Sequence, residues 1–483
     1  MSESTTMQGT TNRSTTPTGS AFTEQVQTGW AEREATTPAP RASAAPAAER
    51  RARISAMHQG VRLVIPAGGL KVRSNDTDYP FRPHPDFTYL TGWGSDAEPD
   101  SVLVLEPAGD GHEATLYFRG PAGRGTTEFY ANPAIGEFWV GPRPSLDHVA
   151  AELGLRVADL DGLAGALEAG GEADALVVTG ADAAVEAMVA GANPDGDVLA
   201  RDLSELRLVK DAHEIAEVQA AVDATARGFD DVIADLAEAT RHERGERVVE
   251  GAFHRRARLD GNAVGYDTIA ASGHHACYLH WTRNDGRVRE GDLILLDAGV
   301  EVDSLYTADI TRTLPISGEF TELQRKVYDA VLEAADAAFA IVRPGIVFKE
   351  VHAAAMEVIA RRTAEWGLLP IPAEQSLEPD QQLHRRWMVH GTSHHLGLDV
   401  HDCAAARRDF YHDGVVREGM VFTIEPGLYF QADDLTVPEE LRGIGVRIED
   451  DIVVTADGAR NLSGAIPRTA DEVEAWMRRV RER

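Results

Sequence analysis

Two acidic residues occupy the same position in two copies of one sequence phrase. The first copy, Val-Arg-Glu-Gly at 288–291, leads into an apolar run that ends at Asp297. The second copy, the same four residues at 416–419, leads into an apolar run that ends at Glu425. An ionised carboxylate beside apolar neighbours is costly unless a positive group compensates it. The pair therefore predicts a metal centre between the halves of a duplicated fold, although two ordinary strands with exposed acids at their tips would give the same phrase.

Each half also supplies a second acid in the following strand pattern. Asp309 comes 12 residues after Asp297, and Glu449 comes 24 residues after Glu425. Four oxygen donors alone suit calcium, magnesium or manganese. Any one of these acids is equally well explained as a surface residue, so the prediction depends on the ordered set.

A histidine cluster between residues 390 and 402 changes the metal that we expect. It contains His390, the adjacent pair His394 and His395, and His401. Imidazole nitrogen mixed with carboxylates suits manganese, iron, cobalt or zinc. Four carboxylates exceed what a single ion with an open position needs, so two ions that share carboxylates fit the donor count better. The pattern alone leaves open which of the adjacent histidines binds metal.

The elements that must position these residues are helices interleaved with strands bounded by glycine. Asp211 with Glu214, and Thr321 with Gln324, have the spacing of capping boxes, and each precedes an apolar stripe at helical spacing. A third helix is predicted from about Phe348 to Trp366. We expect two related halves whose helices cover one face of a mostly antiparallel sheet.

The earlier part of the chain has a different pattern. At 483 residues the chain exceeds the size of one hydrophobic core, so we expect two domains. We assign residues 51–205 to an α/β domain and residues 206–483 to the second domain. The α/β prediction depends on apolar runs between Gly and Pro turns, at 61–66, 101–106 and 175–179. Residues 1–50, rich in Ser, Thr, Ala and Pro, are predicted to be a disordered tail.

Composition excludes several kinds of partner. The chain has 78 acidic and 47 basic residues, a formal net charge of −31, which repels nucleic acid and anionic membranes. Its two cysteines, Cys277 and Cys403, suggest neither a disulfide framework nor a thiolate metal site. With no apolar stretch of membrane-spanning length and no secretory signal pattern, we expect a cytoplasmic protein.

Residues of about 209–469 resemble the pita-bread metallopeptidases, particularly their aminopeptidase P branch. The similar segments are 279–281, 296–299, 309–313, 390–402, 424–429 and 447–450. The resemblance implies a pseudo-symmetric pita-bread domain that binds two divalent metal ions, with Mn²⁺ expected first and Co²⁺, Fe²⁺ or Zn²⁺ as alternatives. The implied metal ligands are Asp297, Asp309, His394, Glu425 and Glu449, of which Asp309 and Glu449 bridge the ions.

The same resemblance implies roles for further residues. His280, His390 and His401 match histidines that handle substrate and proton transfer, Glu425 is also a proton shuttle, and Arg447 supports the bridging carboxylates. Segments 73–76 and 79–92 are similar to the N-terminal domain of aminopeptidase P and of eukaryotic-type prolidase. The step from Asp297 to Asp309 is one residue longer than the common family spacing, which a β-bulge could absorb.

The function implied by the resemblance is hydrolysis of the N-terminal Xaa-Pro bond of peptides, with release of the first residue. Two metal ions can acidify a shared water and polarise the peptide carbonyl. Prolidase, which accepts only Xaa-Pro dipeptides, is the alternative, and a non-catalytic peptide- or protein-binding module is a remote one. The expected partners are peptides with proline in second position and further copies of the chain, in a homodimer or homotetramer.

Overall fold

The computed structural model describes residues 16–31, 37–169, 174–189, 193 and 196–482. The described residues divide into two compact units, one extending to Asp202 and one starting at Leu203. This division lies three residues before the predicted start of the second domain at 206. Among the described residues, no helix combines the length and the apolar composition that crossing a bilayer requires.

The first unit is built on a five-stranded mixed sheet. Its elements are α1 (Ser20–Gln27), α2 (Ala44–Met57), β1 (Arg62–Pro66), β2 (Val72–Ser74), β3 (Thr77–Asp78), α3 (Pro85–Thr91), β4 (Val102–Ala108), β5 (Gly111–Phe118), α4 (Thr127–Ala131), α5 (Glu137–Val140), α6 (Leu146–Leu153), β6 (Arg156–Asp159), α7 (Leu163–Ala169), β7 (Ala175–Val177), α8 (Ala183–Met188) and α9 (Val198–Arg207), whose last residues belong to the second unit. The strand order is β6-β5-β4-β1-β7. The three strands predicted from the sequence are β1, β4 and β7, so the α/β prediction for this unit is confirmed.

The prediction of a disordered tail over residues 1–50 is wrong for part of the described chain. Helix α2 begins at Ala44, and Arg50 and Arg51 within it are buried. The guanidinium of Arg50 donates to the carbonyl of Tyr89 at 3.2 Å, and that of Arg51 donates to the carbonyl of Leu90 at 2.7 Å. The alanines of this segment favour a helix, and its arginines donate to carbonyls at the end of α3. Composition alone does not reveal these contacts, so it did not predict the helix. Residues 1–15 and 32–36 lie outside the described residues.

The described part of the second unit contains a three-stranded antiparallel sheet in each half and two two-stranded pairings. Its elements are α10 (Ala212–Ala239), α11 (Gly245–Asp260), β8 (Ala263–Val264), β9 (Ile269–Ser272), β10 (Leu293–Ala298), β11 (Val300–Glu301), β12 (Ile310–Pro315), α12 (Glu322–Ile341), α13 (Lys349–Glu365), α14 (Ala373–Ser376), β13 (Val421–Ile424), β14 (Gly427–Tyr429), β15 (Gly445–Arg447), β16 (Asp450–Val454), β17 (Ala459–Asn461) and α15 (Ala470–Arg481). The three-stranded sheets have the orders β12-β10-β9 and β13-β16-β17, and the two-stranded pairings are β11-β8 and β14-β15. Strand pairing within both sheets is antiparallel, as predicted.

The helices of this unit start where the sequence predicts. The side chain of Asp211 accepts from the backbone N–H of Glu214, whose carboxylate accepts from the backbone of Asp211, both at 3.0 Å. Thr321 and Gln324 form the second capping box at the start of α12. Each cap satisfies backbone groups that a helix start leaves unpaired, typically worth about 1 kcal/mol.

The four acids lie where strands of the two halves begin or end. Asp297 is in β10 and Asp309 directly precedes β12, while Glu425 directly follows β13 and Glu449 directly precedes β16. The halves are joined at this point, because the backbone N–H of Glu449 donates to the carbonyl of Thr311 at 3.1 Å.

No shift interrupts the register between β10 and β12. It runs from Leu293 opposite Pro315 to Ala298 opposite Ile310. The spacing of Asp297 and Asp309 is therefore accommodated by the connection between the strands and not by a bulge in the ladder. At Gly299 the connection passes so close to Ala308 that a Cβ would lie 1.7 Å from its carbonyl oxygen.

Candidate active site

One cavity of about 640 Å³ in the second unit collects every predicted site residue. This volume lies within the usual range for small-ligand sites. Apolar side chains, among them Ile269, Leu279 and Val400, form other parts of its wall. The predicted residues that line it are His280, Asp297, Asp309, His390, His394, His401, Glu425, Arg447 and Glu449.

Three of these side chains are arranged as a group that could hold a metal ion. Asp309, His394 and Glu449 each offer one ligand atom, and these atoms lie within 4.8 Å of one another. His394 Nε2 is 3.2 Å from Asp309 Oδ2 and 3.6 Å from Glu425 Oε1. His394 Nδ1 lies 3.2 Å from the carbonyl of His395. With Nδ1 donating to that carbonyl, Nε2 faces the acids and is the nitrogen that would bind a metal ion there.

The structure distinguishes the two adjacent histidines. His395 is fully buried, and its ring stacks on Phe348 with 4.6 Å between the centroids. Burial holds the pKa of His395 well below its ordinary value, so the ring is neutral in this apolar environment. Only His394 lines the cavity, in agreement with the residue that the family pattern selects.

Burial, together with the charges of neighbouring groups, raises the pKa values of Asp309, Glu425 and Glu449. Burial, opposed by the nearby His394, raises the pKa of Glu425 to about 7. Burial and then Asp297 raise the pKa of Asp309, while burial and then Asp309 hold that of Glu449 well above its ordinary value. Burial lowers the pKa of His394, but the carboxylates of Asp309 and Glu425 outweigh it and raise the value to about 9. Such excess negative charge is what divalent cations compensate, so the donor set fits them.

Arg447 links the carboxylates of the two halves. Its Nη2 donates to Asp297 Oδ2 at 2.5 Å, and its Nε donates to the hydroxyl of Thr311 at 3.1 Å. That hydroxyl in turn donates to Glu449 Oε2 at 2.7 Å. Arg447 therefore contacts Asp297 directly and reaches the predicted bridging residue Glu449 through Thr311.

The three other histidines line different parts of the cavity. His390 Nε2 lies 2.8 Å from the hydroxyl of Tyr429, and this hydroxyl accepts from Arg447 Nη1 at 3.1 Å. Burial and the Arg447 charge lower the pKa of His390 to about 3, so its ring is neutral and Nε2 accepts from Tyr429. The ring of His401 is 4.2 Å from that of His394, centroid to centroid. His280 is exposed at the cavity.

Three residues that hold the acids were not predicted from the sequence. The hydroxyl of Tyr266 donates to Asp297 Oδ1 at 2.6 Å, and Asp451 Oδ2 accepts from the backbone N–H of Asp309 at 3.0 Å. The third is Thr311. Two-residue alternation along β12 places residues 309 and 311 on one face and could have identified Thr311. Nothing in the sequence pattern points to Tyr266.

The cavity contains a cluster of acids with one imidazole, which suits divalent cations, and it contains further histidines. These features are typical of metal-dependent hydrolases. The protein's sequence relatives narrow the class. Residues 47–177 match the family described as aminopeptidase P, N-terminal domain, and residues 216–456 match metallopeptidase family M24. The protein is 55% identical to Xaa-Pro aminopeptidase 1 of Streptomyces coelicolor over 463 residues, 94% of this chain and 91% of that protein. The chain belongs to metallopeptidase family M24.

More distant relatives and solved structures agree. Xaa-Pro aminopeptidase of Escherichia coli is 34% identical, over 89% of this chain and 96% of that protein. The structure of E. coli aminopeptidase P with the inhibitor Pro-Leu superposes with a TM-score of 0.79 at 32% identity, covering 92% of this chain and 100% of that one. Aminopeptidase PepP of Pseudomonas aeruginosa gives a TM-score of 0.79 at 30% identity, with the same coverage. The predicted two-domain, pita-bread fold class is thereby confirmed.

Proposed function

We propose that the protein is a Xaa-Pro aminopeptidase, an exopeptidase that releases the first residue of peptides with proline in second position. The observation that carries this proposal is the convergence of the five ligand-type side chains and three further histidines on one cavity. Relatives that share 54–55% identity along most of the chain bear that name, which favours this function over prolidase.

The metal ligands in this proposal are Asp297, Asp309, His394, Glu425 and Glu449, holding two divalent ions with Asp309 and Glu449 shared. Mn²⁺ is the ion we expect. Such ions, when bound, lower the pKa of a water molecule and polarise the substrate carbonyl. The buried Arg447 keeps Asp297 and Glu449 oriented towards the cavity through its guanidinium and Thr311.

Glu425, in addition to binding metal, and three histidines of the cavity act on the peptide. Glu425, 3.7 Å from the His390 ring, moves the proton from the attacking water to the leaving proline nitrogen. His280 and His401 hold the scissile carbonyl and the residue that follows it. His390, which is hydrogen-bonded to the hydroxyl of Tyr429, shapes the wall that receives the proline ring.

The environment and assembly complete the proposal. The net charge of −31 disfavours nucleic acid and anionic membranes as partners, and we place the enzyme in the cytoplasm. We expect it to work as a homodimer or homotetramer. Sedimentation of the purified protein tests the assembly, and a monomer at assay concentration would contradict it.

A matched peptide panel tests the proposed activity. The protein is treated with EDTA, divided, and assayed on Arg-Pro, Arg-Pro-Pro and Arg-Ala-Pro with and without Mn²⁺. We expect Mn²⁺-dependent release of arginine from Arg-Pro-Pro and none from Arg-Ala-Pro. Cleavage of Arg-Pro alone would indicate a prolidase, and cleavage of no peptide would indicate a binding module.

Two variants connect that activity with the site. Asp309→Asn and Glu449→Gln, stripped and reloaded with Mn²⁺, should lose activity because each removes a shared anionic ligand. Asp457→Asn is the control, since this acid is exposed on the turn after β16 and does not line the cavity. Full activity of Glu449→Gln would contradict the two-metal assignment.

A further inference from the structure

A fully buried carboxylate outside the cavity accepts four hydrogen bonds from one loop. Glu246 lies in the first turn of α11, and none of its side chain is exposed. Its Oε1 accepts from Ser272 N at 2.8 Å and lies 2.7 Å from His275 Nδ1. Its Oε2 accepts from Trp281 Nε1 at 2.8 Å and from Gly286 N at 2.7 Å. Four donors compensate the burial of one carboxylate, so its loss would leave several buried groups unpaired.

The loop that supplies these donors, residues 272–286, carries His280. Trp281, the next residue, is fixed on two sides: its indole N–H donates to Glu246, and its ring stacks on His275 with 3.8 Å between centroids. The His280 ring itself receives no hydrogen bond within the described parts of the chain. Its position at the cavity therefore depends on the backbone that Trp281 fixes.

Close packing at Gly286 completes this contact. The backbone N–H of Glu246 donates to the Gly286 carbonyl at 3.2 Å while the Glu246 carboxylate accepts from the Gly286 N–H. A Cβ at residue 286 would lie 2.6 Å from His275 Cε1 and 2.8 Å from Glu246 Cδ. Glycine is thus the residue that lets the end of the loop reach the carboxylate.

Glu250, one helical turn after Glu246, holds the base of the same loop. Asn284 is buried with a φ of 46°, and its Nδ2 donates to Glu250 Oε1 at 3.0 Å. The Asn284 side chain also accepts from Ala270 N at 3.0 Å and donates to the Thr268 carbonyl at 2.8 Å. The two glutamates therefore hold different parts of the loop. Glu250 binds Asn284 at its base, and Glu246 binds Trp281, the residue next to His280.

We infer that Glu246 is a positioning residue that holds His280 at the substrate cavity through the indole of Trp281. This inference rests on the proposed role of His280 in binding the substrate. Glu246 touches neither the cavity nor the metal-ligand acids, so its effect on catalysis should pass entirely through the loop.

A double-mutant cycle on the full-length, Mn²⁺-loaded enzyme tests the inference. In Glu246→Gln the amide nitrogen replaces one oxygen and cannot accept, so at least one of the N–H donors of Ser272, Trp281 and Gly286 loses its acceptor. We expect kcat/KM on Arg-Pro-Pro to fall about tenfold to a hundredfold, the size expected for displacing a reacting group by about an ångström. Metal content per chain should stay unchanged. In the His280→Ala background, Glu246→Gln should cause no further loss, because the group that it positions is already absent.

The controls separate positioning from general loss of structure. Asp260→Asn removes an acid at the other end of the same helix, bonded to Arg227 and Arg256, and should leave kcat/KM unchanged. If Glu246→Gln does not fold, Trp281→Phe replaces it in the cycle, since phenylalanine retains the stacking on His275 but lacks the indole donor.

Each outcome decides the inference. Equal losses from Glu246→Gln in the wild-type and His280→Ala backgrounds would overturn it, as would unchanged activity of Glu246→Gln. If His280→Ala has wild-type activity, His280 has no role with the substrate and the inference is overturned. The proposed function would still stand in that case, because the enzyme cleaves Arg-Pro-Pro. A wild-type enzyme that cleaves no Xaa-Pro peptide would refute the proposed function itself.

Discussion

Replacing Thr311 by valine removes a single hydroxyl between the two halves of the site. Thr311 is fully buried, and its hydroxyl accepts from Arg447 Nε at 3.1 Å and donates to Glu449 Oε2 at 2.7 Å. Valine has nearly the same shape, so the packing of β12 is retained. The Glu449 carboxylate then loses the donor that fixes its direction, and Arg447 loses one acceptor.

The size of the effect follows from the hydrogen bond to Glu449. A hydrogen bond to a charged group contributes about 1.5–3 kcal/mol, and a factor of ten in affinity corresponds to about 1.4 kcal/mol. Thr311→Val should therefore weaken Mn²⁺ binding about tenfold to a hundredfold, the usual cost of removing a group that orients a metal ligand.

Calorimetric titration of Mn²⁺ into EDTA-treated protein measures this loss directly. Thr311→Ser retains the hydroxyl and should bind Mn²⁺ as the wild type does. Thr313→Val is a matched control on the same face of β12, because within the described residues the Thr313 hydroxyl forms its hydrogen bonds with the backbone of Arg447, at 3.0 and 3.2 Å. Equal Mn²⁺ affinity of Thr311→Val and the wild type would refute the reasoning.

Three further predictions concern stability. The melting temperature of the metal-free protein should fall as pH rises from about 5 to about 7, because the pKa of Glu425 is raised from 4.5 to about 7 in the native state, which therefore binds a proton that the unfolded state releases. Bound Mn²⁺ should make the melting temperature depend less on pH in thermal scans. The same pH dependence with and without Mn²⁺ would contradict this prediction. Lys210→Met should lower the free energy of unfolding, measured in urea, by about 3–5 kcal/mol, since the buried ammonium of Lys210 lies 2.8 Å from the Asp402 carboxylate. Lys349→Met, which breaks an exposed ion pair with Asp413, should lower it by less than about 1 kcal/mol. Similar losses in the two variants would contradict this prediction. Gly299→Ala should lower both the melting temperature and the Mn²⁺ affinity, because the new Cβ would clash with the Ala308 carbonyl. Gly251→Ala is the control: this residue lies in the middle of α11 with open space around it, so alanine should raise the free energy of unfolding by up to about 1 kcal/mol. An unchanged melting temperature of Gly299→Ala would refute this account.

Much of the local structure could be predicted because it depends on neighbours in sequence. The capping boxes at Asp211 and Thr321 bind groups three residues away, and both helices start as predicted. The helix predicted over 348–366 spans Lys349–Glu365, with the predicted end residues in its cap positions. The prediction of a disordered tail over residues 1–50 was wrong at helix α2, because this helix is held by hydrogen bonds from Arg50 and Arg51 to carbonyls 39 residues further along the chain.

The sequence by itself determined the donor chemistry of the site. The types and order of Asp297, Asp309, Glu425 and Glu449 with the histidine cluster call for divalent cations wherever the chain brings them together, because donor type decides which ion binds. The repeated phrase also placed an acid at the end of an apolar strand in each half.

Only the tertiary structure decided how those donors are held. It buried His395 against Phe348 and left His394 at the cavity, although the two residues are adjacent and identical in type. It joined Thr311 to Glu449 across 138 residues and placed the Trp281 indole on Glu246, 35 residues away. Such contacts form between elements remote in the chain, so their energy depends on packing that local sequence patterns do not encode.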